Sequence, residues 1–206
     1  GLERLIERMA GFDVAGFVVL GLASETKSLS TTLREQITAF VVDRVAGRGV
    51  VVAGLDGPAD AAAIEGRRLE SLGVDALMVR PPAGLPEAAV REHYRQLVQT
   101  LTTPILIQDS PNETGTTISV ESLIALAAES PHLANVKIEH ASGLPSIGVL
   151  VEHGITVVTG WGGLNLLDAY DRGARGCMPG CDLAPAFVGV MAALAAGDDE
   201  LARRRY

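Results

Sequence analysis

The 206-residue sequence is poor in aromatic residues, cysteine and lysine, and these shortages narrow its possible functions. Aromatic residues make up only 4% of the chain against 48% apolar residues, so the core must be mainly aliphatic. The two cysteines, Cys177 and Cys181, have no second pair and no histidine at zinc-ligand spacing, which argues against a metal site or a disulfide framework. We therefore expect neither a metal nor a cofactor.

The sequence also lacks long apolar runs and an excess of positive charge. No run reaches the roughly 18 residues that span a bilayer, and no secretory leader is recognisable. We therefore expect a cytoplasmic protein without a membrane partner. The formal net charge is −8, which argues against nucleic-acid binding because such proteins carry basic surfaces. A small molecule is the expected partner.

Short apolar runs alternate with amphipathic stretches along the chain. The runs are nearly continuous in Val, Ile and Leu, as in strands that are buried on both faces of a parallel sheet. They predict seven strands, at Gly16–Gly21, Gly49–Leu55, Asp75–Arg80, Pro104–Asp109, Leu133–Glu139, Ile155–Gly160 and, weakly, Gly176–Gly180. The amphipathic stretches predict eight helices, at Leu2–Ala10, Thr31–Ala46, Pro58–Leu72, Pro86–Leu101, Val120–Ala128, Ser146–Val151, Leu164–Arg172 and Pro185–Ala196.

This order of elements predicts an α/β fold with parallel strands and right-handed crossovers. A doubly wound sheet and a closed barrel both fit, but no G-x-G-x-x-G fingerprint opens any helix. The units repeat at roughly 25 to 30 residues, as in a (β/α)8 TIM barrel. Since the chain opens on a helix and a seven-stranded ring would leave edges unpaired, we predict an incomplete single barrel domain over residues 1–206. Its first strand and a C-terminal helical extension are expected outside this sequence.

One lysine lies inside a predicted strand. Only two of the 17 basic residues are lysines, Lys27 and Lys137. Alternate side chains of a strand share a face, so Asn135, Lys137 and Glu139 are expected to point into the barrel. The apolar residues between them are expected to face the helices. Lys137 then lies near the C-terminal end of a barrel strand, where barrel enzymes carry their chemistry.

A buried lysine can act as a nucleophile. Burial disfavours the ammonium form, lowers the pKa and leaves part of the amine neutral. A neutral amine attacks a ketone and forms an imine, which serves as an electron sink. Glu139 is expected to pair with Lys137 or to act as an acid or base. The structural alternative is a surface lysine that merely pairs with Glu139.

Small or polar residues close several other predicted strands and are candidate ligand contacts. Gln108 is a candidate catalytic residue, and the candidate substrate-binding residues are Ala23, Ser24, Glu25, Arg80, Asp109, Trp161 and Gly162. Structural alternatives remain open for them: a helix cap, a position on the solvent-exposed rim, turn chemistry or packing. The four histidines share no spacing, and we expect surface or packing roles for His93, His132, His140 and His153.

Together these motifs resemble the dihydrodipicolinate synthase/N-acetylneuraminate lyase family over the whole chain. Gly21–Glu25 stands where that family has a Gly-Thr-Thr-Gly-Glu loop, and Pro104–Gly115 resembles its strand ending in Pro-x-x-Thr-Gly. Val136–Glu139 matches the strand of the Schiff-base lysine, and Gly160–Gly162 and Gly173–Gly176 match the last two units. The resemblance implies a barrel with a preceding strand and a following helical extension, a nucleophilic Lys137, and a homotetramer or homodimer.

Several positions depart from the family pattern. A tyrosine that relays protons in the synthases and the lyase corresponds to Gln108, and the second threonine of the loop corresponds to Ala23. Tyrosines after the next strand are replaced by Pro82 and Ala83, and an arginine of some members by Glu113. Lysine biosynthesis is therefore not expected.

The remaining pattern resembles the sugar-acid branch, which includes 2-keto-3-deoxy-L-arabonate dehydratase. The resemblance implies imine formation at C2 of a 2-keto-3-deoxy acid, loss of a C3 proton and elimination of the C4 hydroxyl. Glu139, Ser24 and bound water are candidates for the proton carrier. Three alternatives stay open: a retro-aldolase that releases pyruvate, a dihydrodipicolinate synthase-like condensation, and a non-catalytic barrel that binds a keto acid.

Overall fold

A computed structural model describes all residues from Gly1 to Tyr206. The six strands are β1 (Gly16–Val19), β2 (Val50–Leu55), β3 (Ala76–Val79), β4 (Ile105–Asp109), β5 (Asn135–Ile138) and β6 (Thr156–Thr159). The helices are α1 (Leu2–Ala10), α2 (Thr31–Val45), α3 (Ala59–Ser71), α4 (Glu87–Val98), α5 (Pro111–Thr114), α6 (Val120–Glu129), α7 (Ser146–Glu152), α8 (Leu166–Asp171), α9 (Ala184–Ala195) and α10 (Asp199–Arg205).

The six strands form one parallel sheet in which each strand pairs with the next along the chain, in the order β1 to β6. A doubly wound sheet reverses its strand order at a switch point, and this sheet has no reversal. Consecutive parallel order is the pattern of a barrel. The chain therefore forms a half-barrel, whereas closure into an eight-stranded ring stays a prediction.

The predicted seventh strand is reduced to one bridge, between Thr159 and Cys177. Its backbone does run beside β6, because the amide of Thr159 donates to Gly176 at 3.0 Å and that of Met178 donates to Thr159 at 2.8 Å. Pro179 follows and has no amide proton, so it cannot extend the ladder. The short segment is therefore aligned with the sheet but is not a strand.

The two faces of the sheet have different surroundings. The outer face packs against the helices in a cluster of 31 buried residues, which includes Ile105 and Ile107 of β4 and Val136 and Ile138 of β5. The inner face has a small separate cluster of Val52, Met78 and Leu106, with Val158 against it. This alternation assigns the odd residues of β4 and the even residues of β5 to the helix side.

The predicted helices agree with the structure to within a few residues at their ends. Side-chain caps explain some of the boundaries, since Ser30 accepts from Leu33 at the start of α2 and Ser119 accepts from Ser122 at the start of α6. The short helix α5 was not predicted, and α10 adds a further helix whose last turn carries three arginines. No helix of the structure has the length and apolarity to cross a bilayer.

Candidate active site

Lys137 lies where the strand pattern predicts it, on the inner face of β5. Its register partners are Gln108 on β4 and Val158 on β6. The residue is only 6% exposed. A lysine that is buried among apolar strands needs a compensating partner, because an isolated ammonium in such surroundings is strongly destabilised.

That partner is Glu139, the residue that follows β5. Its Oε1 lies 2.8 Å from Lys137 Nζ. The side-chain amide of Gln108 donates to Oε2 of the same carboxylate, and the backbone amide of Trp161 donates to Oε1 at 3.3 Å. The carboxylate thus connects the ends of three neighbouring strands, β4, β5 and β6.

These donors decide the ionisation of Glu139. Burial by itself would raise the pKa of the carboxyl group, but the charge of Lys137 and its hydrogen bond, together with the bonds from Gln108 and Trp161, hold the pKa below its ordinary value. Glu139 is therefore an anion at neutral pH. An anionic carboxylate beside an amine is able to accept a proton.

The turn after β6 leaves room for this carboxylate. A Cβ at Gly160 would overlap the Glu139 side chain. Trp161 has a φ of 53°, in the left-handed region that non-glycine residues rarely adopt, and Gly162 and Gly163 follow at 65° and 80°. This run of positive φ angles aims the amide of Trp161 at Glu139, while the indole is 45% exposed.

Asp109 lies on the opposite face of β4 from Gln108. Its Oδ2 is 2.8 Å from His140 Nε2, and His140 Nδ1 is 2.8 Å from Ser142 Oγ. The other carboxylate oxygen of Asp109 is buried without a partner. The structure thus places Asp109 on the helix side, in contact with His140, rather than in the interior with Lys137.

Arg80 is engaged by a carboxylate of the chain itself. Its guanidinium binds Asp56 bidentately, with a distance of 2.8 Å from Nε to Oδ1 and a second bond from Nη2 to Oδ2. The side chain of Arg80 is 11% exposed and that of Asp56 is 27% exposed. The pair lies just beyond β2 and β3. Because Asp56 neutralises its guanidinium, Arg80 does not present a free positive charge.

The loop after β1 is held by a residue outside the predicted set. The hydroxyl of Thr26 donates to the carbonyl of Leu20 at 3.1 Å, and Thr26 is buried. Ala23, Ser24 and Glu25 are exposed, and Glu25 has a positive φ of 50°. The buried Thr26 therefore holds the loop on the protein side, and the predicted contact residues lie on the side that faces solvent.

Of the predicted residues, the structure brings Lys137, Glu139, Gln108 and Trp161 into one hydrogen-bonded group. Sequence reasoning missed the partners of other predicted residues. Asp56 gave no recognisable signal, Gly160 was noted only as part of the Gly160–Gly162 motif, and His140 was expected to have only a surface or packing role. The position of His140 directly after Glu139 was the available clue.

Known proteins resemble this chain over nearly all of its length. The profile of the Dihydrodipicolinate synthetase family matches residues 1–205. An uncharacterised DapA-like lyase of Halobacterium salinarum is 32% identical over 93% of this chain, which spans 64% of that relative's length. An L-2-keto-3-deoxyarabonate dehydratase of Azospirillum brasilense is 27% identical over 99% of this chain and 69% of its own length.

The fold is shared as well. The crystal structure of dihydrodipicolinate synthase from Aquifex aeolicus superposes with a TM-score of 0.91 at 25% identity. The superposition covers 99% of this chain and 72% of the synthase. With a family match that extends from residue 1 to residue 205, the chain belongs to the dihydrodipicolinate synthetase family.

Proposed function

We propose that this chain carries the site of a Schiff-base-forming lyase that dehydrates a 2-keto-3-deoxy sugar acid. The observation that carries the proposal is the buried amine of Lys137, 2.8 Å from a Glu139 carboxylate that is itself held by Gln108. An amine and a base at hydrogen-bonding distance are what imine chemistry requires.

The first step uses both groups. Glu139 accepts a proton from the ammonium of Lys137, and the free amine attacks the C2 ketone of the substrate. The carbinolamine hydroxyl leaves as water with the proton that Glu139 took up, which leaves a protonated imine between Nζ and C2 and restores the Glu139 carboxylate. This cation withdraws electrons from C3, so that a C3 proton becomes acidic.

The second step needs only a proton carrier near C3 and C4. Glu139 removes the C3 proton to give an enamine, and the returning electron pair expels the C4 hydroxyl, which leaves as water with a proton from the carboxyl group. Hydrolysis of the imine then restores Lys137. The overall reaction removes one water molecule, and the Glu139 carboxylate is regenerated.

Gln108 favours this chemistry over a synthase-type condensation. A carboxamide has no proton to relay at neutral pH, whereas its N–H can fix the orientation of a neighbouring carboxylate. In this chain the amide donates to Glu139. Glu139 is thus the better candidate for the proton carrier, and the dehydratase of Azospirillum brasilense supports the same substrate class.

The Asp56–Arg80 pair and the loop at Ala23, Ser24 and Glu25 are the proposed substrate contacts around this centre. Because Asp56 already neutralises Arg80, the pair is better suited to hydroxyl groups than to a carboxylate. The exposed loop offers the Ser24 hydroxyl and the Ala23 amide to the substrate carboxylate, whereas the amides of Ser24 and Glu25 already donate to the carbonyls of Gly21 and Leu22. The indole of Trp161 and the amide of Gly162 complete this proposed rim.

Product analysis of the intact protein tests the proposal. A 2-keto-3-deoxypentonate is expected to lose one water molecule and to give the C3–C4 unsaturated keto acid, which becomes a semialdehyde when a proton moves from C5 to the carbon chain. Lys137→Ala is expected to abolish turnover because no imine can form. Lys27→Ala, which alters the other lysine, exposed in the loop before α2, is the matched control and is expected to keep the parental rate.

Two results would contradict the proposal. Release of pyruvate and an aldehyde would assign the site to a retro-aldolase. Tight binding of the keto acid without any product would make the chain a binding protein.

A further inference from the structure

We infer that His140 and Asp109 form a positioning clamp that holds Glu139 at the distance at which it can exchange protons with the imine. This inference rests on the proposed function and assigns a role to two residues on the face of the sheet that is turned away from the site. The four residues concerned are sequence neighbours in pairs: Gln108 with Asp109 on β4, and Glu139 with His140 after β5.

The clamp begins where the backbone ladder ends. The amide of Glu139 donates to the carbonyl of Asp109 at 3.0 Å, which is the last bond between the two chain segments. The side chain of Asp109 then reaches the next residue, since its Oδ2 lies 2.8 Å from His140 Nε2. One aspartate therefore holds Glu139 by its backbone and His140 by its ring.

The imidazole is fixed on its other sides as well. Ser142 Oγ lies 2.8 Å from His140 Nδ1. A Cβ at Gly143 would lie 2.7 Å from His140 Nε2, so the ring is packed directly against the turn after β5. The side chains of His140 and Asp109 are 10% and 4% exposed. Such enclosure makes the contact stronger than a solvent-exposed pair.

The clamp has a specific consequence at the site. Glu139 follows β5 and its amide makes the last ladder bond, so the backbone after it is no longer held by the ladder, yet its carboxylate must reach donors from three strands. Locking His140 to β4 fixes the residue on the C-terminal side of Glu139. Lys137 is independent of the clamp, because it lies within β5 and is paired on both sides.

Two measurements with pyruvate distinguish a loss of the nucleophilic amine from a loss of the base. Borohydride trapping, carried to completion with excess pyruvate, reports whether Lys137 can form an imine. The loss of the methyl proton signal of pyruvate in deuterated water, followed by NMR, reports whether a base can remove a proton from the carbon next to that imine. A residue that supports folding alone would change both signals together.

His140→Ala in the intact protein is expected to reach the parental extent of trapping, while methyl exchange slows by about 10- to 100-fold, the loss associated with a misplaced catalytic group. Asp109→Ala is expected to do the same. Asp109→Asn keeps an oxygen acceptor for the ring N–H and is expected to exchange faster than Asp109→Ala. His153→Ala, which alters an exposed histidine after α7, is the matched control and is expected to retain parental values in both assays.

The outcomes are distinct. Parental exchange in His140→Ala, or an equal loss of trapping and exchange, would overturn the clamp and leave the proposed function intact. Equal exchange in Asp109→Ala and Asp109→Asn would also overturn it. A parent protein that traps no pyruvate would overturn the proposed function and the clamp together.

Discussion

The carboxylate of Glu139 receives donors from the Lys137 side chain on β5, a side chain on β4 and a backbone amide after β6. The first of these contacts was predictable from the sequence, because Lys137 and Glu139 are two residues apart in one strand and share a face. The position of Asp109 was predicted wrongly, although the same alternation, applied to β4, turns Asp109 away from Gln108 and towards the helices. The pairing of Arg80 with Asp56 depends on the register of β2 and β3, which no local pattern reveals.

Gly160 offers a residue-scale test of how tightly Glu139 is held. In Gly160→Ala the new Cβ would overlap the Glu139 carboxylate and displace it from Lys137. Because the overlapped atoms belong to a side chain that can rotate, we expect a folded protein that still traps pyruvate. Methyl exchange of pyruvate, measured by NMR, should fall by about 100-fold.

The control for this substitution is Gly176→Ala. A Cβ at Gly176 would meet no atom within 4 Å, so that variant is expected to exchange at the parental rate. If Gly160→Ala retained parental exchange, the carboxylate could not have the role proposed for it.

At the scale of elements, periodicity located six strands and eight helices because the buried strands are continuous in aliphatic residues and the helices carry apolar stripes. The seventh strand failed as a strand for a local reason, since Pro179 has no amide proton and cannot extend the ladder beyond Met178. The helix α10 has an Asp198 cap and only one buried residue, Ala202, so it offered little apolar periodicity.

Helix α4 carries a buried histidine whose titration should affect stability. His93 is 4% exposed, its Nε2 has no partner, and burial lowers its pKa to about 4 from an ordinary 6.5. Between these values the unfolded chain binds the proton more readily, so the free energy of unfolding should fall as the pH is lowered through this window. From pH 7 to pH 5 this histidine alone should cost about 2 kcal/mol.

His93→Leu removes the titratable group and fills its buried site with an apolar side chain. Urea unfolding at pH 7 and pH 5 should show a smaller loss of stability in the variant than in the parent. His153→Leu, at an exposed position, should show the parental loss. An identical pH dependence in His93→Leu and the parent would show that His93 is not held neutral by burial.

At the scale of the whole molecule, the sequential order of parallel strands links the chain to its family. The order follows from repeated βα units, because each short connection places the next strand beside the one before it. That order brings the ends of β4, β5 and β6 together, and the lyase site proposed here uses Gln108 of β4, Lys137 and Glu139 at the end of β5, and the amide of Trp161 after β6. The sequential parallel order of a half-barrel was therefore predictable from the sequence, but the convergence of these three strand ends on one carboxylate required the structure.

The most direct test of the account is the site of covalent capture in the intact protein. Pyruvate and borohydride should leave a reduced adduct on the peptide that contains Lys137, as read by mass spectrometry, and none on the peptide that contains Lys27. The two are the only lysines of the sequence, so Lys27 serves as the internal reference for nonspecific reaction. An unmodified Lys137, or equal labelling of both lysines, would contradict the claim that the buried amine is the nucleophile.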